Sequence, residues 1–140
     1  MAILISLDSK SANIRPIRYE SPKESWLIAE VVLKSDDFNT KSIGSYINKF
    51  EVLDLISKID KLIKNHIQYQ SNFIEPNLEI EMKHERDDNY QVSIMFAPIL
   101  NYIDGTGNVK SNELFEMKVN SNSLKKFKLD LKEELVNINK

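Results

Sequence analysis

The 140-residue chain contains no cysteine. This absence excludes disulfide bonds, cysteine nucleophiles, iron–sulfur clusters and zinc sites built on thiolates, because each of these needs a sulfur atom of the protein. Glycine is also scarce, with 3 residues in the whole chain. The phosphate-binding patterns GxxxxGKS/T and GxGxxG, whose glycines let the backbone close around an anion, are both absent.

Histidine occurs only twice, at His66 and His84. The two match neither HxxxH nor HExxH, the spacings that bring two imidazoles to one metal ion. The strained GxSxG turn of serine hydrolases is absent too. His66 continues the apolar stripe of a predicted helix, and His84 continues the inner face of a predicted strand. We therefore predict that both histidines are structural, and that the protein has no catalytic residues, no metal site and no cofactor.

No stretch of the sequence approaches the roughly 20 apolar residues that a membrane-spanning helix needs. The apolar run Ile3–Leu7 is too short for the core of a signal peptide, and no basic residue precedes it. We therefore expect a cytoplasmic protein.

The net charge is −2, which argues against direct binding of nucleic acid, because phosphate contacts depend on clustered lysine and arginine. The length suits one domain, which we expect to cover residues 1–140.

Hydrophobic periodicity predicts an α+β fold. Apolar residues recur every three or four positions over Glu51–Ile67 and again after the capping residues Ser121, Asn122 and Ser123, which predicts a central and a C-terminal helix. Strands are predicted at Ile3–Leu7, Ile14–Tyr19, Trp26–Lys34, Ser42–Phe50, Asn77–Arg86, Tyr90–Ile99 and Glu113–Val119. A strong turn signal occurs at Asp104–Asn108. Hairpins separated by isolated helices indicate a single domain with a mostly antiparallel sheet and two main helices.

The strand Trp26–Lys34 is apolar on both of its faces. One face carries Trp26, Ile28 and Val32, and the other carries Leu27, Ala29, Val31 and Leu33. This pattern is typical of a strand that is covered on both sides. We therefore interpret Trp26 as an anchor of the core.

The strand Asn77–Arg86 shows the clearest alternation in the chain. Leu78, Ile80, Met82 and His84 occupy one face, and Glu79, Glu81, Lys83 and Glu85 occupy the other. Asp87 and Asp88 follow at a predicted turn, so residues 75–88 contain six acids against two bases, a local charge of −4. Three interpretations remain open: an ordinary solvated face, a surface that attracts a basic partner, and paired carboxylates that bind a metal ion or catalyse hydrolysis.

The C-terminal helix has a basic cluster and an apolar flank. The cluster comprises Lys125, Lys126, Lys128 and Lys132. Ordinary solvation explains it better than contact with phosphate. Leu129 and Val136 lie seven residues apart on the flank of the helix, and we interpret them as part of a wide core face rather than as a partner contact.

Three segments of the sequence, in this order, resemble the WapI family of immunity proteins. The first is Ile14–Leu27 (IRPIRYESPKESWL), in which the Trp26–Leu27 pair opens a strand. The second and most specific is Phe73–Glu81 (FIEPNLEIE), which leads straight into a strand. The third is the amphipathic terminal helix after its polar cap, from Ser123. Together the segments cover roughly residues 14–135.

The resemblance implies a protein encoded beside a contact-dependent or wall-associated bacterial toxin. It implies inhibition by tight non-covalent binding of the toxin's C-terminal domain, often a nuclease. The composition and motifs discussed above add the expectation of no catalysis and no direct contact with nucleic acid or membrane. It assigns no residue to the toxin contact. The candidate partner-binding residues therefore come from the acidic pattern alone, and they are Glu79, Glu81, Glu85, Asp87 and Asp88. The alternative is a small ligand- or metal-binding α+β domain that uses the same carboxylates.

Overall fold

The computed structural model describes residues 2–21, 25–36, 39–97 and 113–138. In chain order its elements are β1 (Ile3–Ile5), β2 (Ser11–Tyr19), β3 (Trp26–Lys34), β4 (Asn39–Asn48), α1 (Lys49–Asn65), β5 (Tyr69–Gln70), β6 (Leu78–Arg86), β7 (Asn89–Phe96), β8 (Glu113–Val119) and α2 (Ser121–Ile138). The predicted α+β class is confirmed. The predicted turn at Asp104–Asn108 lies outside the described residues.

The strands form two antiparallel sheets of four strands each. Sheet A has the order β1-β2-β3-β4, and sheet B has the order β5-β6-β7-β8. Within each sheet, every strand pairs with the next one in the chain, and α1 carries the chain from sheet A to sheet B. The division into two sheets was not predicted, because local alternation does not show whether the strands before and after a helix pair with each other. The two residues of β5 are too few to show an alternating pattern at all.

Helix α1 begins and ends two residues earlier than predicted, at positions fixed by its caps. Asn48 Oδ1 accepts a hydrogen bond from the Glu51 N–H at 2.9 Å, and Glu51 Oε1 accepts one from the Asn48 N–H at 3.0 Å. This reciprocal pair satisfies two backbone donors that would otherwise lack partners. The helix ends at His66, which adopts a left-handed conformation with φ 55°. The inward face is formed by Val52, Leu55, Ile59 and Leu62, as predicted.

Helix α2 begins at Ser121, directly after β8. Asn120 Oδ1 accepts a hydrogen bond from the Ser123 N–H at 2.9 Å, so Asn120 rather than any of the three predicted residues acts as the cap. The apolar periodicity predicted after the cap is confirmed, because Leu124, Phe127, Leu131 and Leu135 recur at this spacing and are buried. Neither described helix has the combination of length and apolar character that crossing a bilayer requires.

Both sheets and both helices share one continuous core. Helix α2 packs on β1 and β2, while α1 contacts α2, β4, β5 and β6. The two sheets also meet directly, because the rings of Tyr46 in β4 and Phe96 in β7 pack edge to face with centroids 5.1 Å apart.

Only one face of β3 meets this core. Leu27, Ala29, Val31 and Leu33 are buried, whereas Trp26, Ile28 and Val32 are half-buried. The interpretation of Trp26 as a core anchor is therefore wrong. β-Branched and aromatic side chains fit a half-exposed sheet surface as well as a core, so their presence on both faces of β3 does not distinguish the two situations.

The start of the chain is tied to its end. The Ala2 N–H donates to Glu134 Oε1 in α2 at 3.0 Å. The turn between β1 and β2 crosses the outer edge of β8, where the Leu7 N–H donates to the Lys118 carbonyl at 2.8 Å and Lys10 Nζ donates to the Glu116 carbonyl at 2.9 Å. These contacts occupy backbone acceptors of an edge strand that would otherwise be open to pairing with another chain.

Candidate partner-binding surface

The side chains of sheet B alternate between the core and an outward surface, which we call the sheet B face. Its members form three rows set by the strand register. The first row holds Glu79, Met95 and Leu114, the second Gln70, Glu81, Ser93 and Glu116, and the third Lys83, Gln91 and Lys118. The surface is therefore acidic and apolar at one end and basic at the other.

Three carboxylates lie in the first two rows, those of Glu79, Glu81 and Glu116. Gln68 Nε2 donates to Glu81 Oε1 at 2.9 Å, and Gln91 Nε2 donates to Glu116 Oε2 at 3.2 Å. Among the described residues, no lysine or arginine forms an ion pair with any of the three. The amide donors orient two of these carboxylates without neutralising them, so the negative charge remains available to a partner.

A groove of roughly 150 Å³ lies between the first two rows. Met95 and Leu114 supply apolar atoms to its wall, and Glu79 and Glu81 supply carboxylates. Gln70, Ser71, Ile80 and Ser93 complete the lining. An apolar cavity of about 150 Å³ can hold a benzene molecule, so the groove has room for one side chain but not for a helix or strand.

The other three predicted residues do not join this surface. The register shifts between His84 and Arg86, so Glu85 is the extra residue of a β-bulge and loses the regular alternation. Asp87 follows in a left-handed conformation with φ 53°. Asp88 Oδ1 accepts from the Ser121 N–H at 3.2 Å, where a carboxylate stabilises the N-terminus of α2. The expectation that Glu85 shares a regular face with Glu79 and Glu81 is therefore wrong.

His84 continues the inner face of β6 as predicted, because it pairs with buried Tyr90 and the two rings lie edge to face with centroids 5.1 Å apart. His66 does not continue the apolar stripe of α1, and the two histidines lie together. Their rings stack with centroids 3.6 Å apart and an angle of 4° between the planes. His66 is exposed because it caps α1, and His84 is half-buried beside the bulge, with its Nε2 2.7 Å from the Asp87 carbonyl oxygen. Within the described residues, no group of three or more histidine, aspartate or glutamate side chains has a geometry that could hold a metal ion.

Two lysines of the basic cluster of α2 form ion pairs within the protein. Lys128 Nζ lies 2.6 Å from Asp60 Oδ1 of α1, and Lys126 Nζ lies 3.7 Å from Asp130 Oδ2. The first pair joins the two helices. Leu129 and Val136 are 58% and 52% exposed, so the interpretation of this flank as part of the core is wrong.

Sheet A also has an outward surface, the sheet A face, and its chemistry is the opposite. It includes Arg15, Arg18, Ile28, Glu30, Val32, Lys34, Lys41 and Ile43. The one carboxylate among these residues, that of Glu30, is 7% exposed. Arg15 Nη2 and Lys41 Nζ both lie 3.5 Å from Glu30 Oε2. The acid of this face is therefore neutralised within the protein.

The sequence patterns did not identify three members of the sheet B face, which are Met95, Leu114 and Glu116. The alternation of Glu113–Val119 already separates Leu114, Glu116 and Lys118 from Phe115 and Met117, so the outward set was available. The missing information was the register of β8 on β7, because a long connection between two strands leaves their pairing undetermined. Without that register, Glu79 cannot be placed in a row with Met95 and Leu114.

Comparison with known proteins identifies a family. A family model described as the Immunity protein WapI-like family matches residues 3–139. No curated protein sequence and no solved structure matches the chain. The matched range includes β1 to α2 and all three segments that carry the resemblance, IRPIRYESPKESWL, FIEPNLEIE and the terminal helix. The chain belongs to the WapI-like family of immunity proteins.

Proposed function

We propose that this protein protects the bacterial cell that makes it by binding a cognate toxin domain non-covalently, and that the sheet B face meets the toxin. Membership of the immunity family supports the role. The surface is supported by one observation above all: Glu79, Glu81 and Glu116 have no cationic partner among the described residues. The toxin is the C-terminal domain of a secreted or wall-associated protein, and inhibition takes place in the cytoplasm without catalysis.

The charge of these carboxylates can speed association with the toxin and can also stabilise the complex once it has formed. Surface potentials of this kind raise association rates by about 10- to 1,000-fold, and the effect weakens as salt shortens the Debye length below roughly 10 Å. A toxin that cleaves nucleic acid needs basic residues to bind phosphate, and carboxylates complement those residues. Exposed Leu114 and half-buried Met95 add apolar area beside the charges.

The decisive experiment replaces two carboxylates of the sheet B face. The variant Glu79→Gln/Glu81→Gln is co-expressed with the C-terminal domain of the toxin encoded upstream, and the purified pair is studied by binding kinetics at low and moderate salt. We expect association to slow about tenfold at low salt, with a weaker dependence on salt and poorer protection of the cell.

The matched control is Asp54→Asn/Glu133→Gln. It removes the same amount of charge from exposed positions on α1 and α2. We expect its kinetics to follow the wild type. Equal slowing by both variants would assign the effect to net charge, and unchanged kinetics in the sheet B variant would assign the toxin contact to another surface.

A further inference from the structure

The groove on the sheet B face combines apolar atoms with two carboxylates at the scale of one side chain. Met95 and Leu114 lie in the same row as Glu79, and Glu81 lies in the adjacent row. We infer that the groove binds one arginine side chain of the partner protein. The inference rests on the proposed function in one respect, which is that the toxin supplies this arginine.

The apolar part of the groove matches the aliphatic part of arginine. Leu114 is 56% exposed, and Met95 beside it is half-buried. The methylene groups of arginine cover apolar surface while the charged end remains polar. Burying the exposed part of Leu114 beneath them removes apolar area from water, which favours binding.

The charged part of the groove matches a guanidinium. Glu79 and Glu81 are two positions apart on one face of β6, so their Cα atoms are separated by about 7 Å along the strand. The five N–H donors of a guanidinium form a planar fork that can engage more than one acceptor. Gln68 occupies Glu81 Oε1, which leaves Oε2 for the ligand, and Ser93 stands directly opposite Glu81.

Other ligands fit this groove less well. A phosphate or a carboxylate meets two unneutralised acids there and is repelled. The ammonium of lysine is compact and strongly hydrated, so lysine loses more hydration on entry and satisfies fewer acceptors at once. Arginine is also enriched at the centres of protein interfaces, where a few residues provide most of the binding energy.

The test uses Nα-acetyl-arginine amide as the probe and the full chain labelled with ¹⁵N. We expect the amide signals of Glu81, Ser93 and Met95 to shift with the probe, while those of the sheet A face stay constant. The citrulline analogue has the same shape without the charge, and guanidinium chloride has the charge without the stem; each should bind at least tenfold more weakly. Glu79→Gln/Glu81→Gln and, separately, Leu114→Ser should weaken binding of the arginine probe to a similar degree.

The outcomes separate this inference from the proposed function. Equal binding of citrulline or of guanidinium, shifts scattered over all acidic residues, or no shift at all would each overturn the arginine site. If the probe binds as expected but the toxin is indifferent to Glu79→Gln/Glu81→Gln, the groove is an arginine site and the toxin contact lies elsewhere. If the toxin responds and the probe does not, the sheet B face is the interface and the groove is not its arginine site.

Discussion

The two outward sheet surfaces of this protein handle their acidic residues in opposite ways. On the sheet A face, Glu30 is 7% exposed and shares one oxygen with Arg15 and Lys41. On the sheet B face, Glu79 is exposed, and no cation pairs with Glu79, Glu81 or Glu116 among the described residues. An acid that is neutralised within the fold contributes to stability, whereas an acid left unpaired at the surface can contribute to recognition. Counting charges along the sequence does not make this distinction.

The largest expected effect tests whether the two sheets act as one cooperative unit. Phe96→Ala should cost about 3–5 kcal/mol of unfolding free energy, because it leaves a cavity beneath sheet B and removes the ring contact with Tyr46 of sheet A. Urea unfolding followed by far-UV circular dichroism and by the fluorescence of Trp26, the only tryptophan, should show coincident transitions. Leu114→Ala, at an exposed position of the same sheet, should cost far less. Separate transitions for the two signals would mean that the sheets unfold independently.

The second prediction compares one acid from each outward surface. Glu30→Ala should cost about 2–3 kcal/mol, because it leaves Arg15 and Lys41 close together without their shared carboxylate. Glu79→Ala should change stability by no more than about 0.5 kcal/mol, as is usual for exposed positions. Thermal and urea denaturation of both variants measure the difference. Similar losses of stability in the two variants would mean that the two carboxylates contribute equally to the stability of the fold.

The different surroundings of Glu30 and Glu79 could not be predicted from the sequence, whereas local structure could. Local patterns were enough for both helices, for the inward face of each helix and for the β6–β7 hairpin, since each of these features depends on neighbours in the chain. The neighbours of Glu79 and Glu30 depend on strand register, which distant segments determine. The caps at Asn48 and Asn120 place the helix starts one or two positions away from the predicted ones. The bulge at Glu85 shifts the strand register by one position, and in a strand such a shift exchanges the two faces.

The third prediction compares a buried tyrosine from each sheet. The Tyr46 hydroxyl lies 2.7 Å from Ser42 Oγ, so Tyr46→Phe should cost about 1 kcal/mol. The Tyr69 hydroxyl is buried with no hydrogen-bond partner among the described groups, so Tyr69→Phe should be neutral or stabilising by up to about 1 kcal/mol. Denaturation midpoints at pH 7 test the order. A clear loss of stability in Tyr69→Phe would mean that this hydroxyl has a partner.

The same tyrosine makes sheet B sensitive to alkaline pH. Burial, and then the carboxylates of Asp54 and Glu51, raises the pKa of Tyr69 well above its ordinary value near 10. The unfolded chain therefore releases this proton at a lower pH than the folded protein does, so the contribution of Tyr69 to stability is complete below pH 10 and declines above it. Tyr69→Phe should lose less stability between about pH 10 and pH 11 than the wild type does. Identical pH profiles would contradict the assignment.

The smallest effect on stability is expected at the proposed interface itself. Glu79→Gln/Glu81→Gln should change the unfolding free energy by no more than about 0.5 kcal/mol, because both side chains point away from the core. Chemical denaturation of the purified variant measures this. Such a result would allow any loss of toxin binding to be attributed to recognition. A larger loss of stability would require the binding data to be corrected for the fraction unfolded.

The bond between the Ala2 N–H and Glu134 Oε1 spans 132 positions of the sequence, and Leu4 and Ala12 are buried where α2 packs on β1 and β2. Contacts between such distant residues close large loops, and they slow folding relative to local hairpins. During synthesis, the β1–β2 hairpin can form early, but α2, the helix that covers its apolar side, is translated only after β8. Until α2 is translated, Leu4 and Ala12 stay exposed to water, so the β1–β2 hairpin of the nascent chain is a site where a chaperone or a neighbouring nascent chain can bind.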